Sequence, residues 1–420
     1  MKLFFTRERI ITVLSFLWLF SLMTGYYIIK PVRETFINEL PKETYPYLLI
    51  STMLIILLVN FIYDFLARIL SSARLIIFMT LCFTIGLSIF PYLLNTKWSS
   101  IDLPLLGLQP GHYVCIVFYA LFVGVYNLFT VTMFWSFVNE VFNLEEGRKY
   151  LGAVTAGGSV GGLLGSKITS YLTSKMPIAD LIFIAVILLL LTLIFMWLLL
   201  PYRKTVDSKE TISSVQAKEN GFKMIFHSSY LRWMILAMFL TTSSGTILGY
   251  QMNALVKESI LEQAKRATFW ADMYFLINCL SLGVQILLIR PIISCFGIMT
   301  GLLISPLIDF TGACLLGCSQ RLSFGSFYFV GRYSSEYSFN RASKEMLFIP
   351  TSKGFKYQAK AIVDTFVFRM GDGLVSLLLI FLENYPISYV AFLGIGFNFL
   401  RIIPAVVLAR EYKDIQNRSR

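Results

Sequence analysis

The sequence predicts an all-α polytopic membrane protein of about twelve transmembrane helices in two six-helix halves. Three observations carry that reading. The chain is 420 residues long, 56% hydrophobic and 14% charged, with a mean hydropathy of +0.70, whereas soluble domains carry about 25% charged residues. It contains roughly twelve apolar runs of the length, about 20 residues, that spans about 30 Å of hydrocarbon. One long polar stretch between Leu200 and Leu231 divides those runs six and six. Lipid offers the backbone no hydrogen-bond partners, so the runs must be helices.

The runs begin near Ile10, Tyr45, Leu75, Tyr113, Val154, Leu181, Leu231, Phe269, Ile293, Leu322, Ala361 and Ile387. The first follows Lys2, Arg7 and Arg9, as a secretory leader would, yet it is too long for one and lacks a small-x-small cleavage site, so it reads as a retained span. With spans alternating in direction, 22 Lys and Arg fall on the side of the two termini and 9 on the other. The excess places both termini in the cytoplasm. The expected organisation is an N-terminal half over residues 1–200, a cytoplasmic linker over 201–230 and a C-terminal half over 231–420. Trp98, Trp197, Trp233 and Trp270 lie near span ends, as interfacial anchors do.

Two halves around a central cytoplasmic loop are the plan of major facilitator transporters, whose substrate site lies between the halves near the midplane. Some internal similarity accompanies the plan. Setting Gly147 against Gln358 pairs GRKYLGAVTAGGSVGG with QAKAIVDTFVFRMGDG, matching Lys149 to Lys360 and Gly162 to Gly373.

Other classes find little support. The net charge of +12 suits nucleic acid in principle, but the excess lies in loops on the positive side, so no nucleic-acid partner is expected. Cys82, Cys115, Cys279, Cys295, Cys314 and Cys318 fall in apolar runs without metal-ligand spacing. His112 and His227 are isolated near span ends. No metal site, cofactor site or nucleophile with its base is visible, so an enzyme is not expected. The run GGSVGGLLGSK from Gly157 to Lys167 lacks the G-K-S/T ending of a phosphate-binding loop. Its Gly157, Gly161 and Gly165, with Gly158 and Gly162 beside them, instead form a smooth helix face for close packing.

Charges inside apolar runs point to a water-filled path, because a charge at the bilayer centre costs about 3 kcal/mol on insertion scales. At the end of the first run, YYIIKPVRETFI, Lys30 and Arg33 are three apart and Glu34 lies four from Lys30, around a Pro31 that removes an amide donor. The eleventh run holds Asp364, Arg369 and Asp372, with Arg369 and Asp372 spaced to pair. Arg332 and Glu336 in the tenth are spaced as a structural pair. In the seventh, Gln251 and Asn253 follow Gly245 and Gly249, where the helix is expected to loosen. Basic residues from opposite halves suit an anionic substrate, since an arginine fork donates two parallel hydrogen bonds to phosphate or carboxylate.

One family is similar. YSFNRASKEMLFIP (Tyr337 to Pro350), with its core Lys344, Glu345, Met346, Ile349 and Pro350, resembles the span ten to eleven region of the ADP/ATP translocases of intracellular bacteria and plastids. YYIIKPVRETF and FWSFVNEVFNLEEGRKYLGAVTAGGSVGG resemble that family's span-one end and span four to five connection. The likeness runs from about Tyr26 to Gly373. It implies a twelve-span nucleotide transporter, typically exchanging ATP for ADP; the expected location is a bacterial inner membrane. It also implies important charges in spans one, four, seven and eleven. The span-one base falls on Arg33, with Glu34 after it; the other three positions hold Val123, Gln251 and Asp372, and Arg369 stands one turn before the last. The resulting expectation is a secondary transporter of a nucleotide or related phosphorylated anion, contacted by Lys30, Arg33, Glu34, Gln251, Arg369 and Asp372. A transporter of the same fold for another solute, proton-coupled through Asp364 or Asp372, is the alternative; a membrane scaffold or sensor is a third.

Overall fold

The computed structural model describes residues 7–95, 111–203, 228–347, 367–383 and 385–418. Lys204 to His227 of the expected linker, Trp98, Ile349, Pro350, Gln358, Lys360 and Asp364 lie outside the described residues.

The described residues are α-helical with no strand. The helices are α1 (Arg7–Ile37), α2 (Thr44–Ile69), α3 (Ser72–Asn95), α4 (Gly111–Val141), α5 (Leu144–Leu172), α6 (Leu181–Leu199), α7 (Ser229–Ser259), α8 (Gln263–Leu287), α9 (Ile289–Cys318), α10 (Leu322–Ser335), α11 (Arg341–Leu347), α12 (Phe368–Phe381) and α13 (Ile387–Arg418). A π-helical turn, Glu336–Asn340, joins α10 to α11 as one rod. Each apolar run of the sequence thus meets a helix among the described residues, the eleventh from Phe368 onward. Nine of the described helices are long and apolar enough to cross a membrane, so the chain is a multi-pass integral membrane protein. Large apolar side chains such as Phe61, Phe65, Ile187 and Trp197 are exposed, because lipid rather than water surrounds them.

Local chemistry sets the helix ends and bends. Asn143 caps α5 by accepting from Glu146 N at 2.7 Å, while Glu146 accepts from Asn143 N at 2.8 Å, a reciprocal capping box. Helix α1 runs unbroken through Pro31, and the Thr35 hydroxyl donates to the Pro31 carbonyl at 2.8 Å. Helix α9 kinks at Gly297, whose φ of 79° suits glycine alone among common residues.

By its contacts the chain divides into two units. The first comprises Met1–Pro41, Leu54–Val206 and Ile260–Asn278; the second comprises Lys42–Met53, Asp207–Ser259 and Cys279–Arg420. In the first, α1 packs on α4, α5 and α6, and α3 packs on α4 and α6. In the second, α7 packs on α10, α12 and α13, and α9 packs on α10 and α13.

The glycine face of α5 meets α1 backbone to backbone. A Cβ at Gly157 or Gly161 would sit 2.5 Å from the carbonyl oxygen of Phe16 or Phe20, and one at Gly165 would clash with that of Thr24. Gly158 and Gly162 face the Leu19 and Tyr27 side chains at 3.2 and 3.1 Å.

Two expectations need correction. Helix α7 does not loosen at its glycines: it is continuous from Ser229 to Ser259. Gly245 instead makes room for the Arg332 guanidinium, 2.9 Å from where its Cβ would be, and Gly249 for the Tyr45 hydroxyl at 2.5 Å. Trp270 is not an interfacial anchor. It is 1% exposed and its indole donates to Asn38 Oδ1 at 2.8 Å, since a buried indole N–H needs an acceptor. Trp233 packs against the buried cluster around Met234 and Leu302.

Candidate functional site in two helical units

In the first unit, the charged end of α1 separates its two cations. The Lys30 ammonium lies over the rings of Tyr274, Tyr27 and Tyr26, at 4.1, 5.5 and 5.7 Å from their centroids. Ring faces of negative quadrupole hold a cation while leaving its charge uncancelled, and Lys30 has no ion-pair partner among the described residues. Arg33 donates from Nε to the Ala120 carbonyl at 3.2 Å and from Nη1 to Glu34 at 2.9 Å. Its side chain is 18% exposed and that of Glu34 9%. Val123, where the resemblance implies an acid, is buried in α4.

In the second unit, a cavity of about 600 Å³ opens among α2, α7, α10, α11, α12 and the π turn. Thr241, Thr242 and Thr246 line it, with Tyr45, Tyr337 and Asn340. Its charges are Arg332, Arg341 and Lys344 against Glu336, Glu345 and Asp372. The π turn widens the backbone just where Glu336, Tyr337 and Asn340 reach the cavity, and such turns recur at functional sites.

Asp372 accepts from the Thr246 hydroxyl at 2.8 Å, and its other oxygen is 3.9 Å from Arg369 Nη1. Arg369 and Asp372 are therefore neighbours at the outer limit of an ion pair. Gln251 is 3% exposed and faces Gly394 of α13; it is not among the residues that line this cavity. Asn253 donates to the Gly249 carbonyl at 3.0 Å, within its own helix.

Arg332 departs from expectation. It does not pair with Glu336; it donates to Asp309 Oδ2 at 2.5 Å, to Ser244 Oγ at 3.1 Å and to the Thr241 carbonyl at 2.5 Å. Arg401 of α13 donates to the same Asp309 oxygen and to Ser305 Oγ at 3.3 Å. Glu336 instead accepts from Asn340 Nδ2 at 2.8 Å. In a dry interior a fully buried carboxylate attracts a guanidinium more strongly than a partly hydrated one. Asn398 Nδ2 donates to the Tyr328 hydroxyl at 2.7 Å and Ser244 Oγ to Asn398 Oδ1 at 2.5 Å, so α7, α9, α10 and α13 meet at one polar node. Sequence reasoning missed Asp309 and Arg401. Each stands alone in an apolar run, PLIDFTG and NFLRIIP, and a lone intramembrane charge is the signal that would have found them.

Solved structures of very low identity share this architecture. A D-xylose-proton symporter is similar with a TM-score of 0.67 and 11% identity, over 96% of this chain and 97% of that one. A nucleoside transporter, NupG, gives 0.66 and 12%, over 96% and 100%. The fold is that of the major facilitator transporters. The POT family transporter PepTSo gives 0.63 and 14%, over 98% and 99%. Among curated proteins, the ADP,ATP carrier protein 5 of Rickettsia prowazekii (strain Madrid E) is 24% identical, over 73% of this chain and 71% of its own. No family model matches the chain. These four similar proteins are named as a carrier, a symporter and transporters.

Proposed function

We propose that the chain is a secondary transporter that carries a nucleotide or related phosphorylated anion by alternating access, with exchange of ATP for ADP as its specific form. The observation that carries the reading is the cavity of about 600 Å³ in the second unit, lined by Thr241, Thr242 and Thr246 and by Arg332, Arg341 and Lys344 interleaved with Glu336, Glu345 and Asp372. Small-molecule sites run from about 300 to 1,000 Å³ and use a few placed polar groups. The ring-held Lys30 and the Arg33–Glu34 pair supply matching chemistry in the first unit, and the similarity to an ADP,ATP carrier supports a nucleotide cargo.

In this reading Lys30, Arg33 and Arg369 contact the anion, whereas Gln251, expected to contact a polar part of it, is buried against Gly394 and away from the cavity wall. Glu34 and Asp372 release Arg33 and Arg369 to the cargo and recapture them when the site empties. The test is uptake of labelled ATP into liposomes that contain the purified protein and are preloaded with ADP. Uptake that needs internal ADP, and that falls at least tenfold in Arg33→Ala and in Arg369→Ala with folding intact, is the expected result. Full uptake in both variants overturns these roles, and no uptake by folded wild-type protein overturns nucleotide exchange.

A further inference from the structure

Among the described residues, the buried charges of the second unit do not balance. Asp309, Arg332 and Arg401 are each at most 3% exposed, and one carboxylate serves two guanidinium groups. Around them stand Arg341, Lys344, Glu336, Glu345 and Asp372 on the cavity wall, and Arg369 beside Asp372. Among the described residues that is five cations against four acids, and the most deeply buried surplus belongs to the triad. An uncompensated buried charge is costly, and intramembrane charges are kept where they serve a path or a ligand.

Two further observations say where the surplus acts. Of the triad, Arg332 lines the large cavity, whereas Arg401 lines a separate small void. Arg332 Nε is buried with no hydrogen-bond partner among the described residues, and so is Asp309 Oδ1. A donor is thus left unused inside the node, sealed from the cavity that Arg332 lines until the guanidinium moves.

We propose that the Arg332 edge of the cavity is an anion subsite for a phosphate or carboxylate group, with Arg401 and Asp309 as positioning residues that set its charge. The inference rests on the reading of the chain as a transporter of an anionic solute. Sharing Asp309 between two arginines has a purpose here. When an anion draws Arg332 toward the cavity, Arg401 keeps the carboxylate paired, so no buried acid is stranded. A single arginine would have to abandon its partner in order to bind.

The test uses the purified full-length protein and its thermal unfolding, titrated with inorganic pyrophosphate, ADP or succinate at constant ionic strength. Wild type and Arg401→Lys are expected to bind the same anions within about threefold of each other. Arg332→Gln and Arg401→Gln should each bind at least tenfold more weakly, although Arg401 does not touch the cavity. Both leave Asp309 one partner. The double variant Asp309→Asn with Arg401→Gln restores the surplus charge on Arg332 and should recover binding, which loss of packing alone would not do. Pyrophosphate and ADP without succinate assign a phosphate subsite, and succinate alone assigns a carboxylate one.

Unchanged affinity in Arg401→Gln overturns the proposal, and so does absence of binding by all three anions to the wild type. If Arg401→Gln does not fold, failure of the double variant to bind overturns it instead. Absence of ATP/ADP exchange alongside Arg401-dependent binding would sink the nucleotide reading and leave the subsite standing. Intact exchange with unaltered affinity in both glutamine variants would do the reverse.

Discussion

At Asp309 a single carboxylate holds together four helices of the second unit. Its Oδ2 accepts from Arg332 and Arg401, which also reach Ser244 of α7 and Ser305 of α9. Asp309→Asn would leave two buried guanidinium groups without an anion. Removing one partner of a buried ion pair costs about 3–5 kcal/mol. Reversible unfolding in mixed micelles is therefore expected to show a loss of that size, larger than for Arg332→Gln, where Asp309 keeps Arg401. Equal losses would mean that the two arginines are not sharing one charge. The residues themselves explain why this node was hard to read in advance. Arg332 sits four before Glu336, the spacing of a helix pair, and that local rule pointed away from a partner 23 residues earlier. Lys30 and Arg33 were legible as charges at a span end, yet nothing local separates a lysine held by three tyrosine rings from an arginine tied to Glu34.

Between α1 and α5 the packing is decided by absent side chains. Gly157, Gly161 and Gly165 let the backbone of α5 lie against the Phe16, Phe20 and Thr24 carbonyls, on successive turns of α1. Without a hydrophobic force between helices in lipid, such close approach supplies much of the attraction. Gly161→Val is expected to push the helices apart and destabilise the protein by at least about 2 kcal/mol, by analogy with overpacked cores. Gly152→Ala is the control: nothing lies within 4 Å of its Cβ position, and alanine favours the helix by roughly 1 kcal/mol. A thermal-shift comparison of the two variants checks the contrast, and a stable Gly161→Val would remove the packing role. The spacing of four made this face readable. In α7 the same spacing suggests loosening instead, yet Gly245 and Gly249 receive Arg332 and Tyr45 from other helices. A glycine in isolation does not say whether it frees its own helix or admits a neighbour.

For the whole molecule, the excess of Lys and Arg on one side leads to a topology that labelling can check. In a cysteine-free background, Arg9→Cys and Lys413→Cys should react with a membrane-impermeant maleimide only after the cytoplasmic face is opened. Glu258→Cys, exposed at the far end of α7, should react in intact cells. The opposite pattern would invert the orientation. The helical, membrane-embedded class was set by the sequence alone. Apolar runs of spanning length allow only helices in lipid, whatever the rest of the chain does. Which charges meet, which glycines admit a neighbour and which tryptophan is buried were decided only by the tertiary structure. Those properties depend on what a residue's own helix is packed against, and contacts such as Asp309 with Arg401 or Asn38 with Trp270 join residues 92 and 232 positions apart.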